Sequence, residues 1–133
     1  MKTMTIGKTA RKAEVGVETI RFYERCGLID QPPRPIGNGY RDYPEETVHR
    51  IRFIRKAQEI GFSLREINEL LSLCIDPDAD CADVRERARS KIKEVKRKIA
   101  GLTAMKTALE ALVSACPGKG ALGECSILEA LAA

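Results

Sequence analysis

The chain has 133 residues, of which 32% are charged and 44% hydrophobic, and its formal net charge is +4. No segment approaches the ~18 consecutive apolar residues that a membrane-spanning helix needs, and residues 1–5 lead into no apolar signal core. We therefore expect a cytoplasmic chain with no membrane partner. The basic excess lies in residues 1–61, where 12 Lys and Arg face 8 Asp and Glu, whereas residues 62–133 hold 11 of each. So small an excess could arise by chance, but it also suits a chain whose N-terminal half binds nucleic acid.

The pattern begins with two short helices. The apolar pattern predicts these helices over residues 5–14 and 18–26, separated by a break at Gly16. Gly27 stands where a left-handed cap would end the second helix. Phe22 is expected to pack in the core beneath the second helix. Two short helices joined through a glycine-containing turn are typical of a helix-turn-helix.

A small hairpin and two further helices are predicted next. Asn38 and Gly39 favour a tight turn, and a hairpin in this place would be a wing. Pro44 opens the third helix, whose expected buried residues are Val48, Ile51, Ile54, Ala57 and Ile60. Ser63 and Glu66 form a capping box for the fourth helix, whose expected buried residues are Ile67, Leu70, Leu71 and Cys74. The third helix carries four basic residues that suit a solvated face: Arg50, Arg52, Arg55 and Lys56. Alternatively, one or two of them contact DNA phosphates.

A long helix follows, with Asp80 as its expected cap, and it runs unbroken from residue 81 to about 114. Its apolar residues repeat at a spacing of three and four, with Lys106 interrupting the stripe, which is typical of a coiled coil; they are Ile92, Val95, Ile99, Leu102, Leu109 and Val113. A helix of this length extends ~50 Å and cannot form a core alone, so a partner helix is expected. A glycine-rich loop and a short helix over 126–131 end the chain.

These elements predict a mainly α fold in three parts. We expect residues 1–74 to form a winged helix-turn-helix domain with connecting helices, and residues 75–114 a linker and a long antiparallel coiled-coil dimerisation helix. Residues 115–133 are expected to form a loop and short C-terminal helix, and the cysteines described next make this loop a metal-binding one.

The five cysteines divide into two groups. We expect Cys26 and Cys74 to be packing residues. The other three, Cys81, Cys116 and Cys125, stand at a helix end or a loop edge, and a helix N-terminus favours a thiolate at the first of them. Because ~50 Å of helix separates that first cysteine from the other two, one chain cannot bring all three to one ion. In an antiparallel dimer the first cysteine of one chain lies beside the other pair of its partner.

The ligand set then limits the metal. Three thiolates without a nearby imidazole form a soft site, because the single histidine, His49, lies in the N-terminal half. Structural zinc usually takes four ligands, so Hg(II), Pb(II) or Cd(II) suits three sulfurs better.

The sequence resembles the MerR family of metal-responsive transcription regulators over nearly its whole length. The resemblance rests on four segments: VETIRFYE at residues 17–24, GLI at 27–29, GYRDY at 39–43 and IGFSLREI at 60–67. In the C-terminal part it is most similar to the mercury-responsive branch, which has one Cys opening the dimerisation helix and two bracketing the loop.

Other branches of the family match less well. The monovalent copper and silver sensors have Ser where this chain has Cys81, and the zinc branch has an adjacent Cys pair and a loop His, where this chain has Ala115 before Cys116. Redox-sensing members carry a denser Cys cluster. Lead-responsive relatives share much of the Cys spacing, although some carry an extra Cys where this chain has Ala13 and Glu14. A lead sensor is therefore the closest alternative.

The resemblance also implies a mechanism. A homodimer binds a palindromic operator in a promoter whose spacer is too long for RNA polymerase, and the metal makes it distort the DNA so that the promoter becomes active. The second helix would enter the major groove, with Glu18, Thr19 and Arg21 nearest the bases or phosphates, whereas Tyr23, Tyr40 and Arg41 would hold the DNA backbone. The function implied is regulation of a heavy-metal resistance operon by Hg(II), with Pb(II), Cd(II) or Zn(II) as alternatives.

Two other functions fit the sequence poorly. An enzyme or thiol-transfer protein would need a Cys-x-x-Cys pair or a nucleophile beside His49, and neither occurs. A sensor of an organic ligand would need a pocket, and about 20 residues after the long helix are too few to build one.

Overall fold

The computed structural model describes residues 4–35, 37 and 39–133. Within these residues the fold is mainly α, as predicted, and it contains no β-strand. The helices are α1 (Ile6–Ala13), α2 (Val17–Arg25), α3 (Glu45–Glu59), α4 (Leu64–Ile75), α5 (Cys81–Ala115) and α6 (Ser126–Ala132), with a 3-10 turn at Leu122–Glu124. None of the described helices is both long and apolar enough to cross a membrane. The chain divides into two compact units, Met1–Arg87 and Ala88–Ala133, and the three-part division remains a prediction.

The N-terminal unit is built around a core of aliphatic side chains. Helix α1 packs against α2 and α3, and α3 packs against α4. Four of the predicted stripe residues of α3 are buried: Val48, Ile51, Ile54 and Ala57. Ile60 is wrong, because it lies just after the last residue of α3, where Gly61 turns the chain at φ 100°, and it is 67% exposed.

The turn between α1 and α2 is held by local backbone hydrogen bonds and by two arginines of α3. Glu14 ends α1 in the left-handed region at φ 60°, a conformation that non-glycine residues seldom adopt. Arg55 donates to the Glu14 carbonyl at 3.0 Å, and Arg52 donates to the Lys12 carbonyl at 3.0 Å. These two residues therefore do more than form the solvated face that the sequence suggested: they bind carbonyls left over at the C-terminal end of α1.

The region after α2 begins as predicted and then departs from the prediction. Gly27 has φ 77°, as expected after a helix end. The predicted hairpin turn includes Asn38, which lies outside the described residues, and residues 39–43 form no strand ladder. Instead Tyr43 pairs with Met4 in an isolated antiparallel bridge, with N–H···O distances of 2.8 and 3.2 Å. We call residues 31–35, 37 and 39–43 the wing segment.

Helix α4 starts at the predicted capping box. The Glu66 amide donates to the Ser63 hydroxyl at 3.2 Å, and the Ser63 amide donates to the Glu66 carboxylate at 2.9 Å. Of the expected buried face, Ile67 and Leu70 are buried. The expectation for Cys74 is wrong: it is exposed in this chain, near the C-terminal end of the helix.

Helix α5 runs from Cys81 to Ala115 without interruption, which confirms the long helix. The Asp80 side chain accepts from the Ala82 amide at 2.8 Å, so it caps the helix as predicted. All six residues of the predicted coiled-coil stripe are exposed in the single chain, by 39–65%. The predicted short C-terminal helix is also present, as α6.

Two ion pairs on α5 share Glu94. Lys91 and Lys98 both pair with Glu94, at 2.8 and 3.2 Å. Hydrogen bonds from these two lysines hold the pKa of Glu94 below its usual value. The Lys91 side chain is only 7% exposed.

Candidate nucleic-acid interface and metal ligands

Helix α2 presents three of the predicted DNA-binding residues within its first two turns. Glu18 and Arg21 are exposed, one turn apart, and their side chains form an ion pair of 3.2 Å. Thr19 is half-buried. An exposed i,i+3 pair contributes little to stability, so the Arg21 guanidinium can exchange this carboxylate for a phosphate or a base edge at small cost.

The two aromatic residues of α2 have the opposite roles to those expected. Phe22, predicted to lie in the core, is 42% exposed, and the Arg25 guanidinium lies 5.9 Å from the centre of its ring. Tyr23 is 3% exposed and donates its hydroxyl to the Gln58 side chain at 2.9 Å. Burial raises the pKa of Tyr23. Contact between Tyr23 and the DNA backbone stays a prediction, and the structure gives this residue a packing role.

The predicted wing residues differ in their surroundings. Tyr40 is 80% exposed. Arg41 donates to the Pro32 carbonyl at 2.7 Å, which ties the two ends of the wing segment together. This hydrogen bond uses one nitrogen of a guanidinium that carries five N–H groups, so others remain able to contact a phosphate.

A cavity of about 360 Å³ lies between α2 and the wing segment. Three arginines line it: Arg21 from the helix, and Arg34 and Arg41 from the wing segment. Their combined charge suits an anion such as a DNA phosphate. The sequence analysis missed Arg34; the signal available was an arginine placed among three prolines that hold the chain extended.

A part-buried hydrogen bond links α2 to the wing segment beside this cavity. Tyr43 is 1% exposed and donates its hydroxyl to Glu24 Oε2 at 2.7 Å. Burial raises the pKa of Tyr43, and the hydrogen bond to the Glu24 carboxylate raises it further. The phenol therefore stays protonated at every physiological pH and acts as a donor. This link between α2 and the wing segment has no local sequence signature, because 19 residues separate its two ends.

The three candidate metal ligands lie at the two ends of α5 and in the loop after it. Cys81 is the first residue of α5 and is exposed, whereas Cys116 and Cys125 are half-buried. The latter two border a depression of about 280 Å³ in the loop. Gly118 and Gly120 have φ values of 81° and 122°, which favour glycine.

No three His, Cys, Asp or Glu side chains come together as a possible metal site within the described part of one chain. Cys116 and Cys125 supply two thiols that can act as soft ligands, and a third sulfur would complete a site for a large soft ion. The remaining two cysteines, Cys26 and Cys74, are both exposed, so the expectation that they are packing residues is wrong for the single chain. Both lie near the C-terminal end of a helix, where few neighbouring residues cover the apolar side of the helix.

Comparisons with known proteins agree with the helix-turn-helix interpretation. A family model described as MerR HTH family regulatory protein matches residues 4–74, and a second, described as MerR, DNA binding, matches residues 48–112. The HTH-type transcriptional regulator HmrR of Rhizobium leguminosarum bv. viciae is 44% identical to this chain, over 96% of this chain and 97% of its own length.

Solved structures resemble the whole chain. The transcription regulator PbrR691 from Ralstonia metallidurans CH34, in complex with lead(II), is 36% identical, with a TM-score of 0.87 over 96% of this chain and 98% of that one. The dual function transcriptional regulator MerR from Bacillus megaterium MB1, in complex with mercury(II), is 40% identical, with a TM-score of 0.73 over 98% and 100%.

The fold, the exposed face of α2 and these matches define a DNA-binding transcription regulator rather than an enzyme. The chain belongs to the MerR family of helix-turn-helix regulators.

Proposed function

We propose that this chain is a metal-responsive regulator that senses Hg(II) through Cys81, Cys116 and Cys125 and thereby switches a heavy-metal resistance promoter. The observation that carries the proposal is the placement of these cysteines: one opens α5, and two border the loop that follows it. Three thiolates bind Hg(II) well, because both the sulfur and the ion are soft.

The length of α5 supports a site shared between two subunits. Its 35 residues correspond to a rise of ~50 Å. Cys81 therefore cannot reach the metal held by Cys116 and Cys125 of the same chain, and in an antiparallel pair the same residue of a second chain can. A dimer then has two identical sites.

The exposed stripe of α5 supports the homodimer itself. Its aliphatic side chains repeat at coiled-coil spacing and lie open in the single chain. Exposed apolar area of this kind favours association with a second copy, in which each helix covers the stripe of the other.

The choice of metal rests on the ligand chemistry, because relatives with different ions are similar to this chain to a comparable degree. The relative in complex with mercury(II) is 40% identical and the one in complex with lead(II) is 36% identical. Hg(II) accepts few, soft ligands, and the described loop offers no histidine that would favour zinc. Pb(II), Cd(II) and Zn(II) remain the alternatives.

In the proposed mechanism the dimer places α2 of each subunit in successive major grooves of an operator, and the wing segments hold the flanking phosphates. Metal binding would join the end of one α5 to the loop of its partner and so change which DNA deformation the dimer favours. RNA polymerase would then meet a promoter whose two elements are realigned. The energy of the switch is the difference between the affinities of metal-free and metal-bound dimers for the distorted DNA.

A mixed dimer tests the shared site. One chain carries Cys81→Ser and the other Cys116→Ser/Cys125→Ser, with different affinity tags so that the heterodimer can be purified. Both chains also carry Cys26→Ser/Cys74→Ser, because these exposed thiols would bind Hg(II) nonspecifically. If the site is shared, one site of the heterodimer has all three thiols, and one tight Hg(II) should bind per dimer with thiolate-to-metal charge-transfer absorbance.

Each parent homodimer is the matched control. Its sites hold at most two of the three sulfurs, so it should lack the charge-transfer bands of a three-thiolate site. If each chain built its own site, no site of the heterodimer would hold three sulfurs, and its spectrum would be the sum of those of its parents. A folded heterodimer without the three-thiolate spectrum would therefore exclude the shared site.

A further inference from the structure

The helix that is proposed to enter DNA and the wing segment are joined by a part-buried hydrogen bond. Tyr43 follows the wing arginine Arg41 by two residues, and its hydroxyl donates to the Glu24 carboxylate on the last turn of α2, at 2.7 Å. The Arg41 side chain, by contrast, binds the Pro32 carbonyl, which belongs to the wing segment itself. The Tyr43 hydroxyl thus ties the wing segment to the recognition helix.

The backbone of Tyr43 cannot move to compensate if this link is lost. Its amide and carbonyl both pair with Met4, with distances of 2.8 and 3.2 Å. The ring is 1% exposed and belongs to the core of the N-terminal unit. Its hydroxyl is therefore held at a definite position, and the Glu24 carboxylate is held there in turn.

The link lies between two of the arginines expected to bind DNA. Arg21, Arg41, Glu24 and Tyr43 all line the cavity between α2 and the wing segment. The positive charges of Arg41 and Arg21 both reach the Tyr43 phenol and act to lower its pKa, although burial and the Glu24 contact outweigh them. A carboxylate in this cavity that lost its phenol donor would pair with one of the two guanidiniums instead.

We propose that the Tyr43–Glu24 hydrogen bond is a positioning link that sets the spacing of Arg21 and Arg41 for operator DNA and keeps the Glu24 carboxylate from pairing with either arginine. This inference rests on the proposed function, in which α2 and the wing segment bind the same DNA. Neither Tyr43 nor Glu24 needs to touch DNA. Their effect reaches it through the two arginines.

The test compares variants of the full-length chain for binding to two duplexes. The first is an operator selected by the wild-type chain from a random DNA pool, and the second is a scrambled duplex of the same length. Tyr43→Phe removes only the donor, Glu24→Leu removes the acceptor, and Glu24→Gln keeps an acceptor without the charge. Affinities are measured by fluorescence anisotropy at one salt concentration, together with thermal melting of each variant.

We expect Tyr43→Phe and Glu24→Leu to weaken operator binding about tenfold or more, which is the scale of one hydrogen bond to a charged group. Binding to the scrambled duplex depends on total charge. It should change little for Tyr43→Phe and should strengthen for Glu24→Leu, which removes a negative charge, so loss of operator binding in that variant has no nonspecific origin. Glu24→Gln should restore most of the operator affinity. The double variant Tyr43→Phe/Glu24→Leu should be no weaker than Glu24→Leu alone, because both substitutions remove the same link.

Ser63→Ala is the matched control for stability. It removes one hydroxyl hydrogen bond in the same unit, at the start of α4, and should lower the melting temperature without changing operator affinity. If Tyr43→Phe binds the operator as tightly as Ser63→Ala does, the positioning link is wrong while the proposed function stands. If the wild-type chain selects no operator at all, both fail.

Discussion

The two units of this chain use similar aliphatic residues in opposite ways. In the N-terminal unit, Ile20, Ile51 and Ile54 are completely buried. In the C-terminal unit, Ile99 and Leu102 are 57% and 64% exposed, although their helical spacing is just as regular. The first unit therefore has enough elements to cover its own apolar face, whereas the second consists of most of α5, a 3-10 turn and the short helix α6 and leaves that face open. Regular apolar spacing shows that a face will be buried, and only the number of neighbouring elements shows whether the same chain buries it.

The largest expected effect comes from placing a charge in the exposed stripe. Ile99→Glu would bury a carboxylate between two helices without a partner, which costs several kcal/mol and should abolish the dimer. Light scattering should give a monomer or aggregates. Ser90→Glu is the matched control, because Ser90 lies on the opposite side of α5 by helical register, and it should remain dimeric. A dimeric Ile99→Glu variant would contradict the assignment of this stripe to the subunit interface.

A smaller effect is expected from a cavity in the N-terminal core. Ile54→Ala should destabilise that unit by about 2–5 kcal/mol, because Ile54 is fully buried and its neighbours cannot close the space. Hydrogen exchange followed by mass spectrometry should show faster exchange in α1 and α3 and little change in residues 95–113. Ile54→Val should show the same pattern with a cost of about 0.5–1.5 kcal/mol. An equal increase in the exchange rates of both units would show that they unfold together, and the two units would then not differ in stability.

The smallest effect is a loss of stability at alkaline pH. Burial raises the pKa of Tyr23 and Tyr43 in the folded chain above the value of about 10 in the unfolded chain. Their contribution is therefore complete below pH ~10 and is lost as the pH rises through and above that value. Denaturant unfolding monitored at stepwise higher pH should show this loss in the wild-type chain, and Tyr43→Phe should show a smaller slope. An unchanged slope in that variant would mean that the phenol ionises as freely in the fold as in the unfolded chain.

Features encoded by neighbouring residues could be predicted from the sequence. The capping box of Ser63 and Glu66, the cap at Asp80, the left-handed Gly27 and the bounds of α5 all depend on residues within one helical turn. The wing hairpin was predicted from a turn signal alone, and in the described residues Tyr43 pairs with Met4 instead. A turn dipeptide predicts a turn, but it does not show which segment will pair with the residues that follow the turn.

Burial of single residues was harder to predict. Phe22 and Tyr23 are adjacent on α2 and point in different directions. The prediction that Phe22 lies in the core was wrong, because Tyr23 is the buried ring of the two. Tyr23 is buried because the Gln58 side chain accepts its hydroxyl, and that partner lies 35 residues away. Cys74 and Ile60 belong to apolar stripes by register, but both lie near helix ends, where fewer neighbours cover the stripe.

The sequence supplies three candidate metal ligands, Cys81, Cys116 and Cys125, and their role stays a prediction. The described part of the chain brings no three donors together. In the proposed shared site, the position of the third ligand depends on a second copy of the chain, which the spacing within one chain does not describe.

The arginine-held turn of the helix-turn-helix has a consequence for how the protein is made. Glu14 keeps its left-handed conformation with the help of Arg55, which is synthesised 41 residues later. When residues 6–25 leave the ribosome, the turn between the two helices therefore has its local backbone hydrogen bonds but lacks those from Arg52 and Arg55. The nascent DNA-reading element should stay open until α3 has emerged, and a newly made chain would be unable to occupy an operator before then.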